Sequence, residues 1–546
     1  MKDRIALHID PDGGHEGGLA AGRLLMRAIA RSGGLAGVGC FCASQADAGE
    51  CERALRESGF GGEVEWVSQG RPQDLQRFGT LLHPGLGLER LAWRRLGLGE
   101  RRYSLCGITH GVASHVAMSA AATLLVAPLR SWDALICTSR VVRDSLREVL
   151  ERQADYLRAR LGAQRFELPQ LPLIPLGVHC PDFESGQARR LEARSGLAIG
   201  TDDVAFLVFG RLSFHAKAHP QQMFSALERA DKGGRQVHLI LCGHFDEEAG
   251  EAAFREAAAQ LAPSVRLAVL DARAPDQQAG AWAAADVFTS LADNVEETFG
   301  LTPLEAMAAG LPCVVSDWGG YRDTVRDGVD GYRIATVMPA TGAGLDLAQR
   351  YDDGVDSYDE YCGHTSQAVA LDGAQLVQAY EGLIKDAGLR RQLGENGRRR
   401  AREEFDWQAV LRRYRDLWSE LDERRRADAV LVPALPQVVP DRLDPFALFA
   451  TYPSAQLTPA SIVELAPDAS LAQLRAYREL KINRFATSSL PTLEEFGQIF
   501  GSIESRPTQV DELLDTLGPC DRPTLLRGLA WLCKMDLLRI SAAGEQ

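Results

Sequence analysis

Two successive series of short apolar runs, each followed by a stretch with helical periodicity, constrain this chain more than any other feature. IALHI (5–9), YSLCGITHG (103–111) and WDALICTS (132–139) make up the first series. DVAFLVFGRLS (203–213), QVHLILCG (236–243), VRLAVLD (265–271), DVFTSLA (286–292) and PCVVSD (312–317) make up the second. Runs this short and β-branched read as parallel strands buried on both faces, because helices cover both sides of a parallel sheet. Helix-like segments such as EEAGEAAFREAAAQLA and QQAGAWAAA lie between them. The alternation predicts an α/β protein with two doubly wound, Rossmann-like domains facing a cleft, over residues 1–185 and 186–404.

The remainder of the chain reads differently. Residues 374 to 426 are helical by pattern, apolar on one face and rich in Arg on the other, and the Arg face is expected to be solvated. The Gly- and Asp-rich stretch 335–372 reads as an irregular insertion. Residues 427–460 hold six prolines and read as a linker. Residues 461–546 read as a small, mainly helical module, winged-helix-like from the helix, turn, helix and short strand expected over 506–541. From 427 to 546 there are 10 Lys plus Arg against 15 Asp plus Glu, which disfavours DNA; contact with a protein partner or self-association is the expected use of this module.

Charge and motif content exclude several function classes. With 60 Lys plus Arg against 74 Asp plus Glu, the net charge of -14 has the wrong sign for a general nucleic-acid binder, so any phosphate binding must be local. Eleven cysteines without a C-x-x-C pair predict reduced core thiols and a cytoplasmic protein. The N-terminus MKDRIALHID lacks the apolar region of a signal peptide. The longest nearly apolar stretch, from Ala117, falls short of the roughly 20 residues a span needs, so membrane contact is expected to be peripheral at most. No Walker A, G-x-S-x-G or complete G-x-G-x-x-G occurs. His110 and His115 stand in HGVASH without the carboxylate of H-E-x-x-H, so no metal is expected.

The chemistry concentrates in DNVEETFGLTPLEAMAAGLPCVVSDWGGYRDTVRDGVDGY (293–332). Thr302 can cap a helix, Pro303 suits its first position, and Glu305 falls where a capping-box glutamate belongs. Phe299, Gly300 and Leu301 form the approach, and their amides with the helix N-terminus could meet an anion such as a diphosphate. Glu297 and Glu305 flank that position and could accept hydrogen bonds from hydroxyls on either side, the layout of a nucleotide sugar. The plainer readings are a solvated loop charge for Glu297 and a capping-box role alone for Glu305.

As a unit, this segment resembles the donor-binding signature of glycosyltransferase family 4, whose E-x7-E element is here ETFGLTPLE, followed by EAMAAGLPCVVSDWGG. FGRLSFHAKAHPQQMFSAL (209–227) is similar to the family's strand-loop-helix element, which places diphosphate-binding roles on Arg211 and Lys217, with Ala218 where the family often has Gly. LPLIPLGVHCPDF resembles its inter-domain segment, and 374–418 resembles its last helices, which places a helix at 405–426 crossing back to the first domain. Gly17 and Gly18, or alternatively Gly13 and Gly14, fit the family's N-terminal glycine pair opposite the donor phosphates, with His15 and Glu16 as possible acceptor contacts. His110 resembles the family histidine that approaches the donor sugar, and Asp323 stands where the family commonly has Glu. The resemblance covers about residues 1 to 425.

The resemblance implies a GT-B fold and a retaining, metal-independent sugar transfer from a nucleotide-diphosphate sugar, with no cofactor. Glu305 would bind the nucleotide ribose, Glu297 the sugar hydroxyls, and Arg211 and Lys217 the diphosphate, while Phe299, Gly300, Leu301 and Thr302 line the donor phosphate. The acceptor is expected to be a glycan or lipid-linked glycan of surface polysaccharide assembly. Two alternatives stay open: a catalytically quiet nucleotide-sugar-binding scaffold, and a nucleotide-sugar epimerase on the same fold.

Overall fold

In the computed structural model, which describes residues 4–9, 25–184, 186–245, 248–428, 439–440, 442–516 and 521–541, the two strand series build two separate six-stranded parallel sheets. β1 (Arg4–His8), β2 (Gly37–Cys42), β3 (Glu63–Ser68), β4 (Thr80–His83), β5 (Ser104–Ile108) and β6 (Ala134–Ile136) stand in the order β3-β2-β1-β4-β5-β6. β7 (Val204–Arg211), β8 (Val237–His244), β9 (Arg266–Asp271), β10 (Val287–Ser290), β11 (Cys313–Ser316) and β12 (Gly331–Ile334) repeat it as β12-β11-β10-β7-β8-β9. In this order the chain winds outward from the centre in both directions, leaving a crevice at the carboxyl ends of the two strands where the direction reverses. Those pairs are β1 with β4 and β7 with β10. Together the sheets form the expected GT-B fold.

Four strands lay outside the apolar-run pattern. β2 and β12 carry glycines, β4 is only four residues long, and β3 is a partly exposed edge strand that alternates acidic and apolar residues. The Gly- and Asp-rich insertion is not irregular. It holds two helices and a two-stranded ladder of β13 (Thr336–Val337) with β14 (Ala370–Leu371). Its polar residues cap rather than break, since Ser357 and Glu360 form a capping box.

The helices that matter for the crevice are α1 (His115–Thr123), α2 (Arg140–Leu161), α3 (Leu301–Ala309), α4 (Leu345–Asp352), α5 (Tyr358–Ser366) and α6 (Trp407–Ala427). α6 comes from the end of the second half yet packs Trp407, Val410, Leu411, Tyr414, Leu417 and Leu421 into the core under the first sheet, beside Ile5, Val38 and Ile136. The Arg-rich face over 374–426 is not simply solvated. Arg425 is buried and donates to the Gly79 carbonyl and Ser104 Oγ, and Arg400 donates to the Thr324 carbonyl at 2.7 Å. Guanidinium forks satisfy carbonyls left open at element ends, a use that periodicity cannot reveal.

Residues 440–546 form a second compact unit. Its antiparallel sheet, β16 (Thr508–Gln509), β15 (Ile462–Leu465) and β17 (Leu538–Ser541), shares a core with the helices Leu471–Glu479, Leu493–Ile503 and Arg522–Lys534. The ten described cysteines are free thiols, and among the described residues no helix is long and apolar enough to cross a membrane.

Arg95 and Asp133 are fully buried and joined by two hydrogen bonds of 2.5 and 2.7 Å; Asp133 also accepts from the Leu105 amide, and Arg95 also donates to the Tyr103 carbonyl. Removing one partner leaves a charge in the core. Arg95→Ala is therefore expected to cost about 3–5 kcal/mol in urea unfolding, far more than loss of the exposed Arg152–Glu148 pair at about 0.5 kcal/mol.

Candidate active site

The crevice of the second sheet is built by two loops, one after β7 and one after β10. Arg211 ends β7, and Lys217 follows on its loop. That loop is stitched to the other: the Asn294 side-chain amide donates to the His215 carbonyl at 2.8 Å, and the His219 amide donates to Asp293 at 3.1 Å. Trp318 Nε1 holds the Asn294 carbonyl at 2.8 Å from behind. Burial pushes the Asp293 carboxyl up to about 6. Ala218 is not among the residues with positive φ, so the loop accommodates its Cβ.

Arg211, Lys217, Glu296, Glu297, Asn294 and Thr302 line one cavity of about 190 Å³ at this crevice. Arg211 donates to Glu296 at 2.9 Å and to the Ala216 carbonyl at 3.2 Å, while Lys217 pairs with Glu297. Glu297 is only 5% exposed and also accepts from the Tyr321 hydroxyl at 3.2 Å. Ser290 Oγ sits 2.7 Å from the Tyr321 oxygen, and because that hydroxyl gives its proton to Glu297, Ser290 is the donor to it. Burial and the Glu297 carboxylate hold the Tyr321 hydroxyl well above the ordinary tyrosine range.

Gly300 precedes α3 with φ of +84°, and a Cβ there would strike the Tyr321 ring. This moves the helix start to Leu301, so the predicted cap at Thr302 and its capping box with Glu305 do not form. Thr302 lies inside the first turn instead, and its hydroxyl is buried without a hydrogen-bond partner. Glu305 is half-buried, one carboxylate oxygen is sealed from solvent without a partner, and desolvation raises its carboxyl to about 7. Phe299 is buried and Leu301 half-buried at the same turn.

The remaining predicted positions fall elsewhere. Gly13, Gly14, His15, Glu16, Gly17 and Gly18 lie outside the described residues. Asp323 faces the first half, accepting from the Arg140 backbone amide at 2.6 Å and from its guanidinium at 2.8 Å. His110 follows β5 and contacts the Pro84 carbonyl at 3.3 Å; it lines a small pocket with Trp407 and Tyr414 rather than the 190 Å³ cavity. Burial lowers its ring below the usual histidine range.

Sequence reasoning missed a pair at the other crevice. His8 ends β1 and His83 ends β4, and their Nδ1 atoms are 2.9 Å apart. Burial first, then the neighbouring His8 and His110, lower His83 to about 3, so its ring stays neutral. Only the place of His8 near the end of its apolar run signalled it. Tyr321 and Glu296 were also missed, although both lie in the quoted segment. Among the described residues no group of three or more His, Cys, Asp or Glu side chains is placed to hold a metal ion.

The fold and site together define a GT-B architecture with a cation-lined cavity where β7 and β10 part. Residues 190–341 match the family model described as Glycosyl transferases group 1. The chain is similar to D-inositol 3-phosphate glycosyltransferase of Nocardia farcinica, 30% identical over 218 residues, covering 36% of this chain and 47% of that protein. It is also similar to phosphatidyl-myo-inositol mannosyltransferase of Mycobacterium leprae, 28% identical over 201 residues, covering 36% of this chain and 42% of that one. The chain thus spans about half the length of the curated relatives it matches. Among solved structures, Anabaena Alr3699/HepE in complex with UDP aligns with a TM-score of 0.51 at 16% identity, covering 77% of this chain and all of that one, a likeness of fold.

The Glu305 carboxyl ionises near 4.5 in the unfolded chain and near 7 in the fold, so its native environment loses stability as pH rises through that window. Glu305→Gln abolishes this loss. Its stability relative to the parent is expected to improve by about 2–3 kcal/mol between pH 5 and pH 8 in urea titrations, and a pH-independent difference would contradict the burial argument.

Proposed function

We propose that this chain transfers a sugar from a nucleoside-diphosphate sugar to a hydroxyl acceptor with retention of configuration and without a metal. The observation that carries the reading is the convergence of Arg211, Lys217 and the first turn of α3 on one cavity at the β7/β10 switch point. Two cations and a helix N-terminus supply the charge stabilisation that a departing nucleoside diphosphate requires. The Glycosyl transferases group 1 match over residues 190–341 supports it, because that stretch contains all of these residues.

In this reading the diphosphate displaces Glu296 and Glu297 as partners of Arg211 and Lys217. Glu297, released from Lys217, accepts from hydroxyls of the sugar, and Tyr321 keeps it oriented. Glu305, only partly ionised at neutral pH, meets the ribose hydroxyls, which satisfy its unpartnered oxygen. The amides of Phe299, Gly300 and Leu301 take the phosphate oxygens. The leaving phosphate guides the acceptor hydroxyl on the same face, so neither glutamate serves as a nucleophile and the two-carboxylate scheme of glycoside hydrolases does not apply. The acceptor belongs to glycan or lipid-linked glycan assembly, and the inositol-phosphate and phosphatidylinositol substrates in the relatives' names are chemistry of that breadth.

Incubating the protein with a panel of nucleotide sugars and an excess of chelator, and following nucleotide release, tests this directly. Release from one donor is expected, reduced about 100-fold or more by Lys217→Ala and by Arg211→Ala. Donor binding without release in the presence of varied acceptors points to the scaffold, isomerised donor points to the epimerase, and loss of activity on chelation removes the metal-free claim.

A further inference from the structure

A second cavity, of about 220 Å³, lies between the halves of the first unit and is lined mostly by apolar side chains. Val112, Ala113, Ala117, Met118 and Ala121 come from α1 and the loop before it, and Leu146 and Val149 come from α2. Two further walls belong to the second half: Val295 and Tyr361. Val295 sits between Asn294 and Glu296, both of which line the donor-side cavity, so one short loop separates the two spaces.

The insertion holds the far wall in place. Tyr351 of α4 stacks on His115 at the start of α1, with centroids 3.6 Å apart, and its hydroxyl accepts from the His115 backbone amide at 3.4 Å. Tyr361 stacks on Tyr351 in turn at 4.9 Å. Behind it, burial and the nearby Glu296 carboxylate raise the Tyr358 hydroxyl, which places α5 against the donor-side loop as well. A segment of the second half thus reaches over the first and walls one side of a largely apolar chamber beside the donor-side cavity.

Resting on the transferase reading, we propose that this chamber receives an apolar group carried by the acceptor, next to the hydroxyl that is glycosylated. A cavity of about 150 Å³ lined by aliphatic side chains stays dry and holds a benzene, so 220 Å³ accommodates an alkyl or aryl group of about six to eight carbons. The lining side chains offer two hydroxyls, Ser145 and Tyr361, and no charge, so a free sugar or a sugar phosphate gains little by entering. The acceptor class is therefore a hydroxyl compound with a hydrophobic tail or ring within one loop's width of its reacting oxygen.

Hexyl β-D-glucopyranoside and methyl β-D-glucopyranoside share a sugar and differ only in the chain, and saturation-transfer NMR on the full chain, with and without UDP, compares them. The hexyl compound is expected to bind at least about tenfold tighter. Val149→Trp, which fills the chamber, and Met118→Glu, which charges a half-buried wall, are both expected to erase that preference while UDP affinity stays within about twofold. Equal binding of the two glycosides, or a preference that survives both substitutions, overturns the proposal. UDP binding is read separately: its absence beside an intact hexyl preference removes the transferase reading and leaves the apolar chamber standing.

Discussion

The salt bridge between Lys217 and Glu297 sets the geometry of the crevice where β7 and β10 diverge. A carboxylate as deeply buried as Glu297 is costly unless paired, and here it is held by an ammonium from one loop and a tyrosine hydroxyl from behind. That arrangement couples two loops that follow neighbouring strands but lie 80 residues apart in sequence. On the proposed reading it also offers a choice of partner: an entering dianion would compete for Lys217, and the carboxylate so released faces the same cavity. Arg211 and Glu296 repeat the arrangement one residue away with more exposure, so the pair nearest solvent yields first.

Close packing behind the glutamates makes this possible. Gly319 and Gly320 bring the loop after β11 so near the backbone of Glu297 and Phe299 that a Cβ on either would overlap main-chain atoms. Tyr321 follows directly, and its ring fills the space that a side chain at position 300 would need. The approach to α3 is therefore fixed from two directions before any ligand arrives, and preorganised donors are what a developing phosphate charge needs.

The fold was legible because fully buried parallel strands announce themselves as apolar runs, and two series of them admit few architectures. The edge strand β3 escaped because it is only partly buried, and β4 because its four residues make too short a run. The second crevice was legible in outline because Glu297 through Glu305 are contiguous, so local spacing carries most of its geometry. Spacing misled at Thr302: the positive φ of Gly300 starts the helix a residue earlier, and burial, which a one-dimensional pattern does not encode, turned a presumed surface cap into an unpartnered carboxyl. The His8–His83 contact joins residues 75 apart in sequence and is a product of strand order alone. Likewise the Tyr351 stack on His115 came from a segment whose glycines and aspartates read as disorder of pattern but serve as helix ends.

The central claim is that a nucleoside diphosphate takes Lys217 and Arg211 from their carboxylate partners and seats against the first turn of α3. A crystal structure of the protein soaked with UDP or GDP tests it most directly. The account predicts the β-phosphate within hydrogen-bond distance of Lys217 Nζ and the Gly300 and Leu301 amides, with Lys217 moved off Glu297. A diphosphate bound elsewhere, or one seated while Lys217 remains on Glu297, would contradict it.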